Sequence, residues 1–155
     1  MTVISVDLLD KPQYEAVKDI IPELYDFWWL KTPDKKVPGH AYIVDCAGGL
    51  KLSQFNLRYG IRPVCTFKTT LSDLMFWQKS EKMIGSKFPY GYHSWTVLGI
   101  EGDEIVALCD QVITNYHFGY YRPFDPEHNT WEHSVLKQWL DVNGIELVGE
   151  EICPI

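Results

Sequence analysis

The chain has 155 residues, 46% hydrophobic and 23% charged, with 21 acidic against 14 basic side chains and a formal net charge of -7. A chain of this length fits one globular domain, burying about 70% of the surface it exposes when unfolded, so a single core suffices without staples. No basic run exceeds Lys35-Lys36 and no apolar run approaches the ~18 residues of a membrane span, which disfavours direct nucleic-acid binding and membrane insertion.

The first strand candidate is "TVISVDLL" (2–9). This N-terminal stretch carries neither a basic n-region nor a cleavage site, so no signal peptide is expected. Asp10, with Gln13 three residues on, reads as a capping box for a helix over 11–21 whose buried face holds Tyr14, Val17 and Ile21. "DFWWLKT" (26–32) suits a pleated surface, and on a strand Trp28 and Trp29 point to opposite faces, so at least one ring belongs to the core.

"TPDKKVPG" (32–39) is a loop, and "HAYIVDCAGGLKLSQF" reads as a hairpin turning at Gly48-Gly49. "RYGIRPVCTF" (58–67) is expected as one strand, with Pro63 marking an edge or a start. Residues 68–85 loosen into a short connector helix. "SWTVLGIEGDEIVALCD" (94–110) is a hairpin turning at Gly102, and "NYHFGYYRPFDPEHN" (115–129) is a long aromatic loop. "NTWEHSVLKQWLDVNG" is expected as a helix capped by Asn129, striped by Trp131, Val135 and Trp139, and stopped at Asn143-Gly144; the tail from Ile145 adds a strand.

The motifs in these elements resemble a domain of unknown function found in bacteria and their phages, which reads W-x-V-L, then T-W-E-x-S-x-L-R-x-W-L, then W-W-L-R-S-P-G and G-V-R-P-A. Here Trp95, Val97 and Leu98 carry the first; Thr130, Trp131, Glu132, Ser134, Leu136, Trp139 and Leu140 the second; Trp28, Trp29, Leu30 and Pro33 the third; Gly60, Arg62 and Pro63 the fourth. The last two motifs precede the first two in this chain. The resemblance therefore implies a circular permutation: 1–67 corresponds to the family's C-terminal half, 68–93 to a connector and 94–155 to its N-terminal half, all within one domain. It also implies an α+β, C-type-lectin-like fold with antiparallel hairpins, two to three helices and long aromatic loops. Lys31 and Lys137 stand where the family has arginine. Trp28, Trp29, Arg62, Trp95, Trp131, Glu132 and Trp139 are expected to be structural, with Arg62 bonded to Glu132 in the first turn of the helix.

No nucleophile motif or metal-ligand spacing is present. His128 and His133, five apart, read as surface or capping residues, and neither a metal nor a cofactor is expected. The cysteines, Cys46, Cys65, Cys109 and Cys153, form no C-x-x-C pair and read as reduced thiols in a cytoplasmic protein, with Cys65 and Cys109 on buried strands. Tyr120, Tyr121 and Arg122 are the binding-surface residues, while Tyr116, Phe118 and Phe124 plug the core beneath them. These features point to a noncatalytic recognition module that engages a protein or small ligand as a monomer or half-exchanged dimer. One alternative is a phage-encoded acidic inhibitor of a bacterial defence nuclease; another is a hydrolase or metal-dependent enzyme.

Overall fold

Two five-stranded sheets share the chain, and the second half of the sequence contributes to both. The computed structural model describes residues 1–70, 84–121 and 126–149. The first sheet has the order β1 (Thr2–Asp7), β6 (Val64–Lys68), β9 (Glu104–Cys109), β8 (His93–Glu101), β7 (Lys87–Tyr90), all neighbours antiparallel. The second has the order β10 (Thr114–His117), β5 (Arg58–Ile61), β2 (Trp28–Pro33), β3 (His40–Val44), β4 (Leu50–Gln54), antiparallel except where β2 meets β5. Among the described residues the α-helices are α1 (Lys11–Val17) and α2 (Val135–Val148), and the architecture is mixed α/β with strands dominating.

Short-range chemistry accounts for many boundaries. Asp10 accepts from the Gln13 amide at 2.8 Å while the Gln13 side chain accepts from the Asp10 amide at 2.9 Å, so the expected capping box starts α1. Asp45 organises the β3–β4 turn by accepting from the Ala47 and Gly49 amides, and Gly48 takes a positive φ of 82°. Those two amides hold the Asp45 carboxyl below the usual carboxylate range. Gly102, at φ 60°, turns the β8–β9 hairpin where expected.

Several expectations are corrected. The helix expected over 11–21 ends at Val17. The segment 58–67 is two strands: Pro63, with no amide hydrogen to donate, breaks the run, and the chain passes from the second sheet at Ile61 to the first at Val64. Within the expected connector, Lys87–Tyr90 is a strand; of the helix expected over 68–85, residues 71–83 lie outside the described residues. Thr114–His117 at the start of the aromatic loop is a strand paired with β5.

The last helix starts at Ser134 rather than Asn129, because the Ser134 hydroxyl accepts from the Lys137 amide and donates to the Trp131 carbonyl. It also runs through Gly144 and ends at Gly149, φ 88°, so Ile145–Val148 is helical instead of a strand. Gly144 serves a close approach: a Cβ there would lie 3.0 Å from Val6 on β1. The buried face of α2 is Leu136, Leu140, Gly144 and Val148, one residue per turn, while Trp131 precedes the helix.

The core has three parts. Phe67, Phe88, Tyr90 and Trp95 cluster on one face of the first sheet, with Phe67 at the centre of three ring contacts of 4.9–5.2 Å. Trp29, Ile61, Phe118, Leu136 and Leu140 fill the space between the second sheet and α2, and Trp28, Tyr14, Leu30 and Leu108 fill the space beside α1. Trp28 and Trp29 thus face opposite sides of β2, and both are buried, at 1% and 0% exposure. Trp95 is fully buried and donates from Nε1 to the Tyr90 carbonyl at 3.1 Å.

A Cβ on Gly60 would fall 2.7 Å from the Val112 methyls and 2.9 Å from the Phe27 carbonyl oxygen, and backbone cannot retreat as a side chain can. Gly60→Ala is therefore expected to lower stability by about 1–3 kcal/mol through overpacking, read as a lower midpoint in urea denaturation with an unchanged slope.

Candidate functional site

The segment from His128 to Ser134 is a ridge between α2 and the loops of the second sheet, and three clefts open along it. The first, about 300 Å³, lies between Pro33, Asp34, Lys35 and Pro38 on one side and Asn129, Thr130 and Trp131 on the other. The second, about 180 Å³, shares Trp131 and is charged, holding Asp7, Lys31, Glu132, Lys137 and Asp141. The third, about 120 Å³, shares Asn129 and is lined by Phe55, Gly119, Tyr120, His128 and His133. Shared residues make the first cleft a neighbour of each of the other two.

Local bonding fixes the ridge. Thr130 Oγ1 accepts from the His133 amide and lies 2.8 Å from His133 Nδ1, and the Ser134 cap follows directly. The His128 and His133 rings meet edge to face with centroids 5.2 Å apart. In the charged cleft Lys31 Nζ bonds Asp7 at 2.8 Å and Lys137 Nζ bonds Asp141 at 2.7 Å. Lys137 is held above its ordinary value, first by the hydrogen bond it donates to Asp141 and further by the carboxylates of Asp141, Glu132 and Asp7.

Tyr120 and Tyr121 are exposed, at 63% and 42%; Tyr120 lines the third cleft and Tyr121 sits edge-on to His40 at 5.8 Å. Arg122 and Phe124 lie outside the described residues. Phe118 is fully buried and Tyr116 half-buried, its ring stacked on Trp139 at 4.5 Å.

The expected bond between Arg62 and Glu132 is absent. Arg62 is buried between the sheets, donating from Nε to the Cys109 carbonyl at 2.7 Å and from Nη2 to the Pro22 carbonyl at 3.0 Å, with its guanidinium 4.9 Å from the centre of the Trp28 ring. Glu132 is exposed two residues before the helix cap, in the charged cleft near Lys31 and Lys137. Glu132 therefore shares a cleft with Lys31 and Lys137. The three are far apart in the sequence, which does not show that they converge.

Burial pushes the Cys65 thiol well up and the Cys109 thiol up to about 11, so both are protonated and unsuited to attack as thiolates. No group of three His, Cys, Asp or Glu side chains placed to hold a metal occurs among the described residues. No described helix is long and apolar enough to cross a membrane. A larger cleft of about 480 Å³, lined mainly by aliphatic residues including Leu9, Val17, Val64, Leu98 and Val106, runs between α1 and the first sheet; the ridge differs in gathering polar and aromatic groups from several loops.

No protein-family model matches the chain, and neither a curated protein nor a solved structure matches it.

His117, at the end of β10 beside Arg58, has a buried Nε2 with no hydrogen-bond partner, and burial followed by the Arg58 charge lowers it below the ordinary histidine value of 6.5. The unfolded chain then binds a proton that the folded chain resists, so this stability is complete above pH 6.5 and is lost as pH falls through the lowered value. His117→Gln should flatten the fall in melting temperature below that pH, measured by calorimetry across an acid series.

Proposed function

We propose that this chain is a noncatalytic recognition module that binds an extended segment of a partner protein along the His128–Ser134 ridge. The observation that carries this reading is the succession of three neighbouring clefts along that ridge, with Tyr120 and Tyr121 exposed at one end and Lys31 and Lys137 at the other. Tyrosine rings contribute large contact area at low conformational cost, and a protein segment presenting both apolar and charged side chains would find matching surfaces along one line.

The scaffold reading belongs to the same proposal: a lectin-like fold, circularly permuted, in a bacterial or phage protein working in the cytoplasm. Its support is geometric. β6 and β7, the strands that a permutation would join, lie in one sheet with only β9 and β8 between them, about 14 Å apart at normal strand spacing. The connection between them is long enough to span that gap. The nuclease-inhibitor reading rests on charge balance alone; Asp7, Asp45, Asp103, Asp110 and Asp141 each pair with a lysine, and only the Asp7 and Asp141 pairs share a cleft.

The test immobilises the wild-type chain, a Tyr120→Ala/Tyr121→Ala variant and a Val106→Ser control from the other cleft, and captures partners from host lysate for mass spectrometry. A partner recovered by wild type and control should bind the double variant at least about tenfold more weakly in a purified binding assay. Equal recovery by all three would place the interaction elsewhere.

A further inference from the structure

We infer that His128 and His133 form a two-imidazole site for a transition-metal dication of the Cu²⁺, Ni²⁺ or Zn²⁺ class, open to the third cleft. Three observations carry it independently of the recognition reading. The first is distance. A metal about 2.0–2.1 Å from an imidazole nitrogen sits about 3.2 Å from the ring centre, so two rings on a tetrahedral ion have centres about 5.2 Å apart. The His128 and His133 centroids are 5.2 Å apart, with the rings nearly perpendicular at 80°. The ring centres therefore lie at the separation that shared coordination requires.

The second is tautomer control. A coordinating histidine is oriented by the bond its other nitrogen makes. His133 Nδ1 lies 2.8 Å from Thr130 Oγ1, which also accepts from the His133 amide, so the hydroxyl is anchored at both ends of the residue it orients. With Nδ1–H donating to that oxygen, Nε2 keeps its lone pair for a metal. The third is access and rigidity: both rings line an open cleft of about 120 Å³, and His133 directly precedes Ser134, the buried cap of α2. Two imidazoles leave coordination positions for water, and nitrogen ligands select the later first-row metals over calcium or magnesium. The spacing in sequence hid this pair because five residues is not a helical ligand interval, whereas here the turn through Thr130 folds one ring back toward the other.

The test titrates CuCl₂ into the full chain carrying Cys46→Ser, which removes the exposed thiol among the described residues, and Cys153→Ser, and follows binding by calorimetry and electron paramagnetic resonance. One equivalent should bind with nitrogen splitting from two imidazoles. His128→Gln and His133→Gln should each remove the two-nitrogen pattern, Thr130→Val should weaken binding about tenfold while keeping it, and His40→Gln/His93→Gln should change nothing. Circular dichroism of each variant reports whether it folds, and the Thr130 variant leaves both ligands in place as a second reading. A spectrum without two nitrogens in the starting protein, or one that persists in the double His128/His133 variant, would overturn the site.

Discussion

The fold depends on a buried guanidinium. Arg62 sits where the chain leaves the second sheet for the first, and its donors reach carbonyls on two other segments, Cys109 at the end of β9 and Pro22 after α1. Cys109 marks the neighbouring crossover, from β9 in the first sheet to β10 in the second, and the Ile113 amide bonds the Ile61 carbonyl across it. The described chain passes between the sheets three times, from β1 to β2 through α1, from β5 to β6 and from β9 to β10, and Arg62 on the second passage bonds a carbonyl on each of the other two. Burial lowers the Arg62 pKa only to about 10, so the charge persists at neutral pH, supported by the carboxylate of Asp110 and the face of Trp28. A lysine there could not bond both carbonyls in one plane.

Local chemistry was the legible part of the sequence. The capping box at Asp10, the turn at Gly48 and the β8–β9 hairpin each depend on a few neighbouring residues, and each formed where those residues specify it. The opposite orientations of Trp28 and Trp29 followed from strand geometry alone. Where the reading failed, contacts distant in sequence outweighed local signals. Gly144 looks like a helix stop until β1 is packed against it, and Asn129 looks like a cap until Trp131 is drawn into the core and Ser134 takes over. Glu132 was assigned to Arg62 because both are motif residues; the helix shift of five residues moved it to the opposite side of the second sheet.

The ridge was illegible for a related reason. Its parts come from residues 31–38, 120 and 128–137, and no single stretch has a composition that announces a site. What the sequence did show was the exposed pair Tyr120 and Tyr121, which it places in a loop shaped by Gly119 and Pro123. Convergence depends on tertiary packing, which brings the β2–β3 loop and the approach to α2 to one cleft.

The paired tryptophans of β2 carry one more consequence. A strand buried on both sides, with the same ring at adjacent positions, could slip by one residue and still place a tryptophan on either side, so hydrophobicity does not choose its alignment. The choice falls to features that distinguish the two rings: only Trp29 donates from Nε1 to the Tyr116 carbonyl, and Trp28 alone pairs with the narrow position at Gly60. The strand that carries the two tryptophans is therefore aligned by one polar bond and one missing side chain.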